Sequence, residues 1–151
     1  MNNTVLPTKD ADKICCIKCG KTLSMKKWRG VEIKCSRCGT LNTILEQMIE
    51  QVIITDKEGR ILFVNKAVEE TTGYSLHEVV GKKPSEVWGG HMPKEFYKEM
   101  WDTILKKKNS AKMKITNKKK TGEMYDIWLL VSPIFDTKGE TIFYVGIEIV
   151  I

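Results

Sequence analysis

The chain has 151 residues, with 25 lysines and arginines against 19 acidic residues and a formal net charge of +6. Its 42% hydrophobic and 29% charged residues are typical of a globular protein and exclude a largely disordered or membrane-embedded one. No apolar run approaches the roughly 20 residues that span a bilayer, and the first residues lack the apolar segment of a signal peptide. We therefore expect a cytoplasmic protein with no membrane partner.

The five cysteines all lie in the first 40 residues, which favours metal binding over a disulfide framework. Residues 1–12 are expected to be disordered, and the segment 13–40 then has the spacing Cys-x2-Cys-x15-Cys-x2-Cys. Two-residue gaps let both sulfurs of a pair reach one tetrahedral ion, and a segment this short needs a metal to fold. The spacing predicts one structural Zn²⁺ ion, bound by Cys16, Cys19, Cys35 and Cys38. Cys15 is an extra thiol that could replace Cys16. The alternatives to a metal site are a redox dithiol and unconnected free thiols.

This cysteine segment also carries most of the positive charge. Between residues 13 and 39 there are eight lysines and arginines against one acid, Glu32. Cations neutralise phosphates and an exposed indole can stack on an unpaired base, which suits single-stranded RNA or DNA. The predicted nucleic-acid surface consists of Lys26, Lys27, Trp28, Arg29 and Arg37. The alternative is a solvated basic face in which part of the charge offsets the four thiolates.

The residues ICCIKCGKTLSMK and VEIKCSRCGTLN, within 14–42, resemble the four-cysteine zinc finger of the Com family of Mu-like phages. The founding member of that family binds messenger RNA and activates its translation. The resemblance therefore implies zinc binding and an RNA-binding role for this segment. Ser36 departs from the family's usual proline, and Thr22 interrupts its Lys-Leu-Leu stretch.

The next segment, LNTILEQMIEQ at 41–51, has apolar residues at helical spacing. This pattern predicts an amphipathic linker helix. The helix either packs on the domain that follows or forms the contact of a homodimer, and the two roles are compatible.

The remaining residues, 52–151, form the second predicted domain. β-Branched apolar runs at 52–56 and 61–65 predict two strands. The four residues between them, KEGR, predict a hairpin with Gly59 in its turn.

Helices follow this hairpin. The segment 66–74 predicts a short helix, and the Ser75-x-x-Glu78 capping box opens another. A longer helix is predicted at 93–108, where large apolar residues recur along one stripe.

Three strands, at 111–117, 123–133 and 141–151, complete the predicted elements. Two strands, short helices, one longer helix and three antiparallel strands give the α+β class with a single sheet.

This order, with the residues ITDKEGRILFVNKAVEETTGYSLHEVVGK and MYDIWLLVSPIFDTKGETIFYVGIEIV, resembles a PAS domain. The resemblance implies a five-stranded antiparallel sheet with flanking helices and a ligand cavity. Two stretches, MPKEFYKEMWDTI and NKKKTGEMY, are most similar to flavin-binding sensors of the Aer and NifL type. The resemblance therefore implies a sensor with FAD or another small ligand in its pocket.

The predicted pocket combines aromatic faces that could stack on a ring with amide or imidazole groups that could bind its polar edge. Its candidate residues are Trp88, His91, Met92, Met100, Trp101, Ile104, Asn117 and Trp128. For Trp101 and Ile104, simple core packing is the alternative. A cysteinyl-flavin adduct is not expected, because no cysteine follows Cys38.

No activated nucleophile or acid–base pair stands out in the sequence, so we expect a regulator and not an enzyme. In the favoured interpretation the pocket senses a ligand or redox state and the zinc module is the output. One alternative is an adaptor that dimerises through the PAS domain and binds a downstream regulatory protein. Another is a thiol redox switch at the zinc site, with Cys15 as the mobile thiol.

Overall fold

The computed structural model describes residues 13–15, 22–24 and 45–151. The first two segments are short strands, β1 (Lys13–Cys15) and β2 (Thr22–Ser24), which pair antiparallel. The predicted zinc ligands and all the predicted nucleic-acid residues lie outside the described residues.

The domain is built around one five-stranded antiparallel sheet, as predicted. Its strands stand in the order β4-β3-β7-β6-β5. The strand that opens the domain, β3, is thus a neighbour of the strand that closes it, and Gln51 pairs with Glu148. The strands are β3 (Gln51–Asp56), β4 (Ile61–Val64), β5 (Ala111–Lys118), β6 (Met124–Phe135) and β7 (Thr141–Val150).

Four helices lie between β4 and β5 in the chain. Gly73 ends the first helix with a positive φ of 78°, a conformation that glycine adopts without steric cost. The predicted capping box of Ser75 and Glu78 is present at the second helix. The third, one turn long, was not predicted. The helices are α1 (Lys66–Thr72), α2 (Leu76–Val79), α3 (Pro84–Val87) and α4 (Lys94–Lys106).

Asn65, at the N-cap of α1, joins the sheet to the segment that precedes it. Its side-chain oxygen accepts hydrogen bonds from the backbone N–H groups of Val52 (2.9 Å) and Val68 (3.4 Å). Its Nδ2 donates to the carbonyls of Leu45 and Glu50, each at 2.9 Å. One fully buried amide therefore fixes the residues before β3 against the domain.

The helix predicted at 41–51 is shorter than expected in its described part. Within the described part of that segment, only 45–47 are helical, and the strand β3 already starts at Gln51. The prediction was wrong at its C-terminal end, because Gln51 takes a place in the sheet opposite Glu148.

The two faces of the sheet differ. Ile127 and Val131 point inward from β6, and Trp128, Leu130 and Ile134 alternate with them and are exposed. This alternation contradicts the placement of Trp128 in the pocket, since a residue next to an inward one must point outward. Trp128 is 42% exposed and has the Lys112 ammonium 5.2 Å from its ring centre.

Across the described ranges, the structure contains no helix with the length and apolar character needed to cross a membrane.

Candidate ligand cavity

A cavity of about 680 Å³ lies between the inner face of the sheet and the helices α3 and α4. This volume is within the range of small-molecule sites. Its wall is largely apolar and aromatic, with contributions from Ile53, Tyr97, Met100, Trp101, Leu129 and Tyr144. Trp101 and Tyr144 meet edge to face, with ring centres 5.3 Å apart.

Five of the eight predicted pocket residues line this cavity: Trp88, Met92, Met100, Trp101 and Asn117. The other three lie elsewhere. Ile104 is 1% exposed and packs in the core with Met100 and Val131. His91 is exposed in the loop before α4, and Trp128 is on the opposite face of the sheet.

Three buried polar side chains form the floor of the cavity. Trp88 Nε1 donates to Glu148 Oε1 at 3.3 Å, and Asn117 Nδ2 donates to Glu148 Oε2 at 3.2 Å. Trp88 and Asn117 are 0% exposed and Glu148 is 4% exposed. The floor therefore brings together the end of α3, the strand β5 and the strand β7.

The backbone positions these groups. Trp88 follows α3, and its carbonyl accepts a hydrogen bond from Lys118 N at 2.8 Å, which fixes the residue against β5. Glu148 points inward from β7 like Tyr144 and Gly146, its neighbours at two-residue spacing. At Gly146 an added Cβ would lie 3.8 Å from Ile53, an ordinary contact distance, so the packing does not require glycine at this position.

Burial dominates the ionisation of the floor. It raises the pKa of Glu148 to about 7, and the two hydrogen bonds from Trp88 and Asn117 only partly oppose this effect. Burial and the nearby Glu148 carboxylate also raise the pKa of Tyr125 well above its usual value. A carboxyl group inside the protein thus changes charge near neutral pH.

Several buried polar atoms around this floor have no hydrogen-bond partner within the described part of the chain. They are both amide atoms of Gln51, Asn117 Oδ1 and the Tyr125 hydroxyl. Such atoms are rare in folded proteins because an unmade buried hydrogen bond is costly. Among them Asn117 belongs to the cavity wall, and Tyr125 is its register partner on β6.

The mouth of the cavity is basic. Lys57, Lys83 and Lys94 line it together with one acid, Glu58, and all four are exposed. This charge suits a ligand whose outer end is anionic.

One glycine shapes the loop at the mouth. At Gly90, with φ of 83°, an added Cβ would come within 2.7 Å of the Ser85 carbonyl oxygen, so no larger residue fits. The Tyr97 hydroxyl accepts hydrogen bonds from Gly90 N (3.1 Å) and Met92 N (3.3 Å). The loop before α4 is therefore held close to the cavity.

The sequence reasoning missed Glu148. The signal available was one acidic residue in the otherwise apolar run VGIEIVI. As for metals, the residues that the structure describes contain no cluster of three or more potential ligands.

Comparison with known proteins identifies a family and several relatives of this chain. The family described as the PAS fold matches residues 39–149. A nitrogen fixation regulatory protein of Klebsiella oxytoca is 27% identical over 110 residues, which cover 73% of this chain and 22% of the relative. A blue-light photoreceptor of Listeria innocua is 32% identical over 100 residues, covering 64% of this chain and 39% of the relative.

A solved structure shares the fold: the PAS domain of a protein from Colwellia psychrerythraea, with a TM-score of 0.65 and 19% identity. The match covers 72% of this chain and 92% of that one. This chain spans about a fifth of the length of the first curated relatives.

Proposed function

This chain belongs to the PAS family, and on that premise we propose that it is a sensory and regulatory protein whose signal is a small flat ligand bound in the cavity. The observation that carries the proposal is the floor of Glu148, Trp88 and Asn117 below an aromatic wall. A buried carboxyl group costs stability, and an apolar residue would fill the same space more favourably. Recognition of a ligand would explain why a carboxyl group occupies this position.

A flavin nucleotide is the first candidate for this ligand, and the floor offers groups that suit it. Asn117 Oδ1 is an open acceptor for the ring N–H, and Glu148 in its protonated form can donate to a ring carbonyl. Trp101 and Tyr97 would supply apolar contact, and the lysines at the mouth would attract the phosphate. When bound, a flavin supplies redox chemistry, so the redox state of the cell would be the signal.

We further propose the zinc module as the output. The proposal depends on the sequence of 13–40, with its four-cysteine spacing and basic residues, and on the linker that joins it to β3. Because Asn65 fixes 45–50 to the domain, a change in the cavity that reaches β3 would also alter the direction in which the chain leaves it. In this proposal a homodimer presents two basic modules to single-stranded nucleic acid. A downstream regulatory protein is the alternative target, and zinc-linked thiol oxidation the alternative signal.

The test of the sensory function is a visible absorption spectrum of freshly purified protein, followed by mass spectrometry of small molecules released on denaturation. We expect a stoichiometric bound compound, yellow if it is a flavin. Asn117→Leu should reduce its occupancy, and Lys118→Leu, a neighbour with an exposed side chain, is the matched control. No bound compound, together with no thermal stabilisation by FMN or FAD, would reject a ligand-sensing role.

The test of the output is binding to single-stranded RNA over a range of salt concentrations. Lys26→Ala with Lys27→Ala should weaken binding and reduce the slope of log affinity against log salt by about 1.4, since each lost phosphate contact contributes about 0.7. Lys106→Ala with Lys107→Ala, exposed at the end of α4, is the control with the same change of charge. Equal slopes for the two double variants would exclude the zinc module as the binding surface.

A further inference from the structure

The side of the sheet that is turned away from the cavity is apolar. Trp128 of β6 lies opposite Ile149 of β7, and Leu130 lies opposite Ile147. Residues directly opposite each other in an antiparallel pair share a face, so both pairs point away from the cavity. Trp128 is 42% exposed, Leu130 36% and Ile149 51%. We call this surface the outer face and define it by Ile54, Trp128, Leu130, Val145, Ile147 and Ile149.

The size of this side of the sheet suits a specific protein interface. Four neighbouring strands at about 4.8 Å, and the nine paired rows of β6 and β7 at about 3.4 Å, give a footprint of roughly 500–600 Å². The strands β3, β7 and β6 supply its apolar part, and β5 supplies lysines at one edge. The relief of the side chains makes the accessible area larger than the footprint. Stable interfaces bury about 600–1,000 Å² on each partner.

The segments that precede the linker do not match the outer face. Residues 13–39 carry eight lysines and arginines against one acid, and residues 1–12 offer few large apolar side chains. The β5 edge of the sheet is itself positive, because Lys112 lies beside Trp128 and only Lys114 is paired with an acid, Asp126. Like charges therefore oppose docking of the basic segment there. Residues 40–44 reach at most about 18 Å, whereas the paired rows extend about 30 Å.

A second copy of the chain avoids this conflict. Two outer faces are equally apolar, and a twofold axis along the strands places β5 of one copy over β3 of the other. The lysines of the two copies then stand at opposite sides of the contact, and the apolar strips of β6 and β7 meet. Face-to-face packing of two sheets at about 10 Å is a common arrangement.

We propose that the outer face is the contact surface of a homodimer, with a second copy of this chain as its occupant. The inference deepens the proposed output, which rests on a homodimer, by naming the surface that forms it. Ile49, in the linker just before β3, is 88% exposed at the end of the sheet where Ile149 lies. Each linker therefore starts at the rim of the contact, and the two zinc modules leave from the same interface.

Sedimentation velocity of the full chain between about 1 and about 100 µM tests the proposal. We expect a dimer that dissociates on dilution. Ile149→Glu should weaken it at least about 100-fold, because a twofold contact buries the unpaired carboxylate twice. Leu105→Glu is the matched control, since Leu105 is 54% exposed on α4, on the other side of the sheet. This variant should dimerise as the unmodified chain does, and equal thermal melting of both variants would show that they are folded.

Hydroxyl-radical footprinting of the unmodified chain is a second measure that needs no variant. Oxidation of Trp128 should decrease at concentrations that give the dimer, while oxidation of Leu105 stays constant. A dimer that Ile149→Glu leaves intact, with unchanged oxidation of Trp128, would overturn the proposal and place the contact elsewhere. A monomer at every concentration would also overturn it, and protection of Trp128 in that monomer would assign the outer face to the chain's own preceding residues. The ligand and salt-dependence tests are separate, so the sensory and nucleic-acid functions can stand if this surface fails.

Discussion

Replacing Asn65 by alanine should loosen the attachment of the segment that precedes the sheet. Asn65 is fully buried and joins three parts of the chain. Its oxygen accepts from Val52 N and Val68 N, and its amide donates to the carbonyls of Leu45 and Glu50. Alanine removes all of these bonds and fills none of the space.

The expected loss of stability follows from the individual bonds. Removing the N-cap of α1 costs about 1 kcal/mol. Leaving the buried Val52 N–H without its side-chain acceptor costs about 1–3 kcal/mol, and the two carbonyls of the linker, which water can partly reach, add about 1 kcal/mol. The total is about 3–5 kcal/mol, a large part of the stability of a domain this size.

Urea unfolding followed by tryptophan fluorescence measures this loss. Asn65→Ser is the matched control, because its hydroxyl can still cap α1 but cannot reach the linker carbonyls, so its loss should be about 1 kcal/mol smaller. Hydrogen exchange at 45–50 should accelerate in both variants. A loss under about 1 kcal/mol in Asn65→Ala would refute the view that this amide fixes the linker.

Further predictions concern the cavity floor and the metal. Because the folded state raises the pKa of Glu148 from about 4.5 to about 7, it holds that proton more tightly than the unfolded chain does. Stability should therefore fall by about 3 kcal/mol as the pH rises through this interval, and urea unfolding of Glu148→Gln should lack that slope. Trp88→Phe removes a donor that stabilises the carboxylate, so the pKa of Glu148 should rise further in an NMR titration. The same change should lower the free energy of unfolding by about 1–3 kcal/mol. An unchanged pKa would contradict this contact. Cys19→Ser should reduce zinc, measured by atomic emission, well below the one ion per chain expected for the unmodified protein, whereas unchanged zinc would exclude this residue as a ligand.

The strands of the domain could be predicted because their apolar runs are long and end at clear turn residues. The turn at Gly59 and the capping box at Ser75 have local signals of the same kind, and both are present in the structure. The short helix α3 was not predicted: one turn has no measurable periodicity, and its N-cap is Lys83, whereas the equally short α2 has the recognisable N-cap Ser75.

The cavity was harder to derive than the fold. Alternation in β6 shows that Ile127 and Trp128 face opposite sides, but the sequence does not say which side is inward. Packing against the helices decides which side is inward, and Trp128, the larger of the two residues, is the exposed one. Glu148 was missed for a related reason: an acid near the end of an apolar strand is usually solvent-facing, and only the register of β7 places it inside.

The central position of β3 and β7 has a consequence for engineering. Because Gln51 and Glu148 are directly opposite each other, the entry and exit of the domain are separated by about 5 Å, the spacing of paired strands. A domain with such closely spaced ends can be inserted into a surface loop of another protein without distorting that protein. It can equally be circularly permuted with a short peptide joining the old ends, so that new termini open in the turn around Gly139. The closely spaced ends therefore make this domain suitable for insertion into a reporter protein, whose signal would then change when a ligand fills the cavity.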